Sequence, residues 1–143
     1  MSKKIYVASS WRNKYQQNIV LTLRRNSHEV YDFKNPALGN NGFSWSQIDQ
    51  DWQKWETDEY IKALNHPIAI KGYDLDFCAM KWACTCILLL PCGRSAHTEA
   101  GWMKGAGKNV YVFIPEKCEP ELMYKIYDGI YENINDLLKI IER

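Results

Sequence analysis

The sequence has next to no net charge: 18 lysines and arginines face 17 aspartates and glutamates, for a formal +1 at neutral pH. Without a broad field of one sign, neither a nucleic-acid polymer nor a membrane surface is an expected partner, and an anionic ligand must be held by local groups. Long apolar runs are missing as well. The oiliest stretch, CILLLP at 86–91, is far too short to span a bilayer. MSKKIYVASS at the start runs straight into a strand-like segment, without the apolar core of a signal peptide. The five cysteines, Cys78, Cys84, Cys86, Cys92 and Cys118, form no CxxC pair and no metal-ligand spacing, and their number is odd. That pattern speaks against a disulfide framework or a zinc site and is read as buried, reduced thiols in a cytoplasmic protein. Also absent are GxxxxGK[ST] and a GxGxxG after the first strand, the two glycine patterns that cradle phosphates in the commonest nucleotide-binding folds. No metal and no other cofactor is expected.

What remains is an ordinary globular composition, 143 residues with 46% hydrophobic and 24% charged side chains, read as one domain over 1–143. KKIYVAS at 3–9 has the look of a strand covered on both faces. Tyr15, Ile19 and Leu23 recur at helical spacing, and HEVYDF at 28–33 reads as a second strand, giving a βαβ opening with a right-handed crossover. KNPALGNNGFS at 34–44 is a loop by its Pro, Gly and Asn content. Ile48, Trp52 and Trp55 then predict one face of a helix, read as a core stripe. Thr57 is a candidate N-cap with Asp58 and Glu59 behind it, and Pro67 opens a further helix. CILLLP, a helix from about Ser95 to Ala106, NVYVFI at 109–114 and a short strand at GIY, 129–131, complete the alternation. One or two helices flank that last strand, and Asn135 is a candidate cap for the final one.

Four to five strands alternating with helices predict an α/β fold: a three-layer α/β/α sandwich, doubly wound around a mostly parallel sheet, flavodoxin- or Rossmann-like. In such sheets ligands bind beyond the carboxyl ends of the strands, where strand order reverses. ASSWRN at 8–13, the loop after HEVYDF and PCGRSAHTE at 91–99 all reach that edge, which places Glu99 at the mouth of the fold.

Glu99 reads in two ways. It is a favourable acid near a helix start, or a carboxylate able to attack an anomeric carbon and form a glycosyl ester. Gly93 and Ser95 give a small-residue approach to the helix, a cradle for an anion or sugar hydroxyls as much as a tight turn. His97 reads as a ligand contact or a cap. Gly101, Gly105 and Gly107 read as a close approach to the sheet or a helix end. Asp74 and Asp76 in YDLDF point in different directions on a helix, so at most one of them faces a site. Trp11, next to Arg12 at the strand edge, is a better stacking candidate than Trp52 or Trp55.

KIYVASSWRN, YDLDF and PCGRSAHTEAGWMKGAGKNVYVFI together resemble the nucleoside 2-deoxyribosyltransferase family and its relatives, the 2'-deoxynucleoside 5'-phosphate N-hydrolases. The resemblance runs through nearly the whole chain in order and spacing. It implies Glu99 as nucleophile, Tyr6 as the tyrosine that orients it, and Asp74, with Asp76 as the fallback, as the acid that protonates the departing base. It further implies substrate contacts from Ser9, Ser10, Trp11, Arg12, Gly93, Ser95 and His97, with the S-x-R of Ser10 and Arg12 matching the 5'-phosphate clamp of the phosphate-using relatives. The chain departs from the family at Arg94-Ser95-Ala96-His97, where a glycine-rich approach is usual. The transferases also complete their pocket with a neighbouring subunit's C-terminal region, which has no match here. The implied activity is cleavage of the N-glycosidic bond of a small nucleoside or nucleotide, resolved by water or by a second base, in a homodimer or larger homo-oligomer. Two alternatives stand beside it, a TIR-like NAD glycohydrolase and a non-catalytic nucleotide sensor on the same fold.

Overall fold

The computed structural model describes all 143 residues, which divide into two compact units, Met1–Asp32 with Met80–Arg143, and Phe33–Ala79. The first unit carries the sheet. Its strands are β1 (Lys4–Ala8), β2 (Glu29–Tyr31), β3 (Thr85–Leu89), β4 (Asn109–Phe113) and β5 (Gly129–Tyr131), all parallel, in the order β2-β1-β3-β4-β5. Three helices lie wholly in this unit: α1 (Gln16–Arg25), α4 (Arg94–Gly105) and α5 (Ile134–Ile141).

Burial explains the arrangement. Ile5 and Val7 of β1, Ile87 and Leu89 of β3, and Tyr111 and Phe113 of β4 point to one face, where Ile19, Val20 and Leu23 of α1 and Leu137 and Ile141 of α5 close the core. The alternate residues, Tyr6, Ala8, Cys86, Leu88, Val110 and Val112, are buried too. They lie on the face crossed by α4, which buries Ala96, Ala100 and Met103. Each aliphatic side chain removed from water in this way contributes about 1.5–3 kcal/mol. Strand order reverses at β1: the chain leaves toward β2 on one side and returns through β3 on the other. With right-handed crossovers, α1 and α4 must therefore fall on opposite faces. The result is the doubly wound three-layer sandwich expected from the alternation of elements.

Helix ends follow local rules. After α4, Gly107 takes φ +86°, and Gly107 N–H and Lys108 N–H donate to the carbonyls of Lys104 and Met103, the paired bonds of a Schellman cap. Gly101 and Gly105 face open space, so neither serves a close approach to the sheet. The end of α1 has the same two bonds, Ser27 N–H to Arg24 O and His28 N–H to Leu23 O, but the left-handed position is filled by Ser27, φ 68°.

The second unit contains two 3-10 turns, Trp45–Gln47 and Trp52–Lys54, then α2 (Thr57–Ala63) and most of α3 (Pro67–Trp82). The helix expected through Ile48, Trp52 and Trp55 is not formed. Trp52 lies exposed, and Trp45 takes the centre instead, edge-on to Phe43, Trp55 and Tyr60 at 4.8, 5.7 and 6.0 Å between centroids. Asp49 breaks the helical run by accepting from Asp51 N–H and from Trp55 Nε1–H. These bonds, that from Asp51 N–H foremost, hold its carboxyl below the usual range. Phe43 presses on α3 where Gly72 leaves room for it.

Other expectations shift by a residue or two. Glu56 rather than Thr57 caps α2, in a reciprocal box with Glu59, and Asn133 rather than Asn135 caps α5 by accepting from Asn135 and Asp136 N–H. α4 begins at Arg94, a residue before the expected Ser95. Of the five free cysteines only Cys86 is buried; Cys92 and Cys118 are half-buried, and Cys78 and Cys84 are exposed. No helix is long and apolar enough to cross a membrane.

Candidate active site

The carboxyl ends of β1 and β3 lie side by side, and the loops that leave them are fastened together. The buried Ser9 hydroxyl donates to Leu89 O at 2.9 Å, and the Asn13 amide donates to Pro91 O at 3.1 Å. Asn13 also turns the chain into α1: its N–H donates to Ser10 O and its side-chain oxygen accepts from Tyr15 N–H at 2.7 Å. Between these anchors Trp11 and Arg12 are exposed and Ser10 is half-buried. The Ser10 hydroxyl oxygen accepts from Arg12 N–H at 3.2 Å.

Across this edge the Tyr6 hydroxyl donates to Glu99 Oε2 at 2.8 Å, joining β1 to α4 over 93 positions of sequence. The Tyr6 ring is fully buried. It stacks on Tyr31, its direct neighbour on β2, with 5.4 Å between centroids and 13° between planes. Glu99 is half-buried and sits in the second turn of α4, with no acid in the first turn. The free N–H groups and most of the helix-dipole effect belong to the first turn, so the expected support from the helix start gives way to support from a strand tyrosine. The thiols nearby are held protonated. Burial pushes Cys86 upward and Cys92 up to about 12, with Cys118 and the Glu99 charge adding to the rise at Cys92 and Glu99 at Cys86.

This architecture recurs in solved structures. A 2-deoxyribosyltransferase from the psychrotolerant bacterium Bacillus psychrosaccharolyticus superposes with a TM-score of 0.65 at 19% identity, over 96% of this chain and 90% of that one. The fold is that of a 2-deoxyribosyltransferase. A CMP N-glycosidase from Clostridium botulinum superposes with a TM-score of 0.52 at 16% identity over the full length of both chains. No family model and no curated protein sequence matches this chain.

On the deoxyribosyltransferase fold the remaining candidate residues fall into two groups. Gly93, Arg94 and Ser95 are exposed at the start of α4, which has no side-chain cap. The side chains of Arg12 and Arg94 have no ion-pair partner in the chain. His97 is differently engaged. Its Nδ1 lies 2.7 Å from Gly93 O and its Nε2 2.8 Å from the Tyr124 hydroxyl, with the two rings stacked at 5.7 Å. The carbonyl requires a proton on Nδ1, so Nε2 accepts from Tyr124 and both ring nitrogens are spent on holding the helix start. Burial is the main reason the Tyr124 hydroxyl is pushed up to about 12.

The two acids of YDLDF are on α3, in the second unit. Asp74 is exposed, in a groove with Pro67, Ile70, Lys71, Leu75 and Cys78. Asp76 is half-buried and shares its side of α3 with the buried Ala69 and Met80. Sequence reasoning missed Asn13 and Tyr124. Asn13 had a legible signal, an Asn just before a helix able to form an Asx turn. Tyr124 had none, since its partner is 27 positions away.

Proposed function

We propose that the chain, as one domain over 1–143, cleaves the N-glycosidic bond of a nucleoside or nucleoside 5'-monophosphate through a covalent glycosyl-Glu99 intermediate. The observation that carries this reading is the 2.8 Å bond from Tyr6 to Glu99 Oε2 at the reversal point of the sheet. It presents an oriented carboxylate where ligands of doubly wound folds bind. Shared fold with enzymes named for 2-deoxyribosyl transfer and CMP N-glycoside cleavage adds support.

In the proposed mechanism a Glu99 carboxylate oxygen attacks C1' of the sugar while the C1'–N bond breaks, and the bonding pair leaves with the base. A protonated acid on α3 delivers a proton to the departing base. The motif match favours Asp74, and the half-buried Asp76 is the alternative on the same helix. Water, or a second base, then attacks C1', giving up a proton that restores the acid on α3, and the ester bond breaks to return Glu99 as a carboxylate. Arg12 and Arg94, both exposed and without ion-pair partners, with the hydroxyls of Ser10 and Ser95, supply the groups that a 5'-phosphate requires. That favours a monophosphate over the free nucleoside.

The test is release of free base from a panel of deoxynucleosides, ribonucleosides, their 5'-monophosphates and NAD, followed by chromatography. Release from a monophosphate, abolished by Glu99→Ala, is expected. Release that survives Glu99→Ala refutes the nucleophile, release from NAD alone supports a glycohydrolase, and no release from any compound leaves a nucleotide sensor. Adding a second free base separates transfer from hydrolysis, and Asp76→Asn against Asp74→Asn identifies the acid.

A further inference from the structure

α4 begins at a residue with little around it. Gly93, its N-cap, is exposed, makes no side-chain cap, and has nothing within 4 Å of where a Cβ would stand. Neither sterics nor a cap fixes the Gly93 carbonyl, and a glycine backbone turns readily. What holds it comes from inside the helix. Gly93 O accepts from His97 N–H at 3.3 Å and lies closer still, 2.7 Å, to His97 Nδ1. The short contact is a bond only while Nδ1 carries the proton. With the proton on Nε2, two lone pairs would face each other there.

Which ring nitrogen carries the proton is set by the bond that the other one makes. For His97 that partner is the Tyr124 hydroxyl, 2.8 Å from Nε2. Tyr124 is 9% exposed, and its ring lies flat on the imidazole with 16° between planes. The 3-10 turn that carries it, Leu122–Ile126, is itself pinned. Met123 N–H donates to the Glu121 carboxylate at 2.7 Å, and Tyr127 N–H donates to Tyr124 O at 3.1 Å. Burial keeps the Tyr124 hydroxyl protonated well above neutral pH, so Nε2 always has its donor. The Cys92 thiol, 3.7 Å from Nδ1, is a weak donor and does not displace the nearer carbonyl.

We propose that Tyr124 is a positioning residue: its hydroxyl sets the His97 tautomer that clamps Gly93, and the clamp places Arg94 and Ser95 against a substrate 5'-phosphate. Arg94 and Ser95 follow Gly93 directly and are both exposed. The role at the phosphate rests on the function proposed above, whereas the tautomer stands on geometry alone.

Tyr124→Phe keeps the stacked ring and removes the donor. Nitrogen NMR shifts of His97 read the tautomer directly, with the proton expected on Nδ1 in the wild type and moving toward Nε2 in the variant. A wild-type proton on Nε2, or a tautomer indifferent to Tyr124→Phe, overturns the proposal. Inorganic phosphate, titrated while the Arg94 and Ser95 resonances are followed, is expected to bind the variant about tenfold more weakly, the worth of roughly one hydrogen bond to a charged group. Resonances that ignore phosphate in the wild type overturn its placement there. In turnover, KM for a 5'-monophosphate is expected to rise by the same factor, with kcat and the KM of the unphosphorylated nucleoside changed by less than about twofold. Equal losses on both substrates count against the role. His97→Asn supplies a control, since its amide donates near the Nδ1 position and has no tautomer to set. Adding Tyr124→Phe to it is expected to change phosphate binding by less than about twofold, and an undiminished effect there overturns the coupling. Tautomer and phosphate binding need no turnover, so a chain that releases no base defeats the proposed reaction and leaves these results to be read apart.

Discussion

Tyr6→Phe is the sharpest probe of the site, because it deletes one oxygen and leaves the fully buried ring in its stack on Tyr31. Two effects oppose each other. The hydroxyl donates to a carboxylate that would lose its charge in the proposed glycosyl ester, so the bond favours the resting enzyme, and removing it tends to speed attack. A hydrogen bond to a charged group is worth about 1.5–3 kcal/mol, and only the fraction lost in the transition state counts. Against this, the same bond fixes where the oxygen points, and a displacement of about 1 Å costs roughly 100-fold in rate. Positioning wins, so kcat for base release is expected to fall about 10- to 100-fold with a smaller change in KM. In denaturant unfolding, Tyr6→Phe is expected to cost about 1 kcal/mol, since the half-buried Glu99 carboxylate can recruit water. A double-mutant cycle with Glu99→Ala is expected to show a coupling of about 1 kcal/mol. An unchanged kcat together with a coupling below about 0.5 kcal/mol would refute the reasoning.

Ser27→Gly relieves a left-handed backbone at the end of α1 and is expected to stabilise the fold by about 1 kcal/mol, seen as a higher denaturant midpoint. His28 is 5% exposed, accepts from Lys3 N–H on Nδ1, and leaves Nε2 without a partner. Burial, aided by the N-terminus and Lys3 against the opposing pull of Glu142, lowers its pKa below 6.5. The unfolded chain therefore takes up this proton first, so the contribution is complete above about pH 6.5 and is lost as the pH falls below it. His28→Asn, which keeps a neutral acceptor, is expected to flatten the unfolding midpoint between pH 7 and 5, and an unchanged slope would exonerate His28. Gly72→Ala places a methyl 2.9 Å from Phe43 Cβ and is expected to cost about 1–3 kcal/mol. Adding Phe43→Gly, which removes the Cβ as well as the ring, should shrink that increment, which calorimetry can measure.

The fold was legible because β1, β3 and β4 are buried on both faces and therefore spell themselves as unbroken apolar runs. Pro67 marked the start of α3 for an equally local reason, its fixed φ and missing N–H suiting a first turn. The tryptophan segment misled because Ile48, Trp52 and Trp55 fit a helical period, while the Asp49 side chain stopped the helix. At the site, Glu99 stood out by type and place, but its link to Tyr6 spans 93 residues and left no mark in spacing. Only the ordered resemblance joined the two. His97 had been open between ligand contact and cap, and only the positions of Gly93 O and the Tyr124 hydroxyl show that its nitrogens are already used.

Ser9 and Asn13 grip the end of β3 from both feet of a three-residue arch, and positions 10–12 hang between them. Exchange of those three residues alters what the arch offers an incoming molecule while both footings stay bolted. If the proposed site is right, divergence in substrate choice, natural or engineered, has its easiest route there, whereas a change at Ser9 or Asn13 removes a footing of the arch.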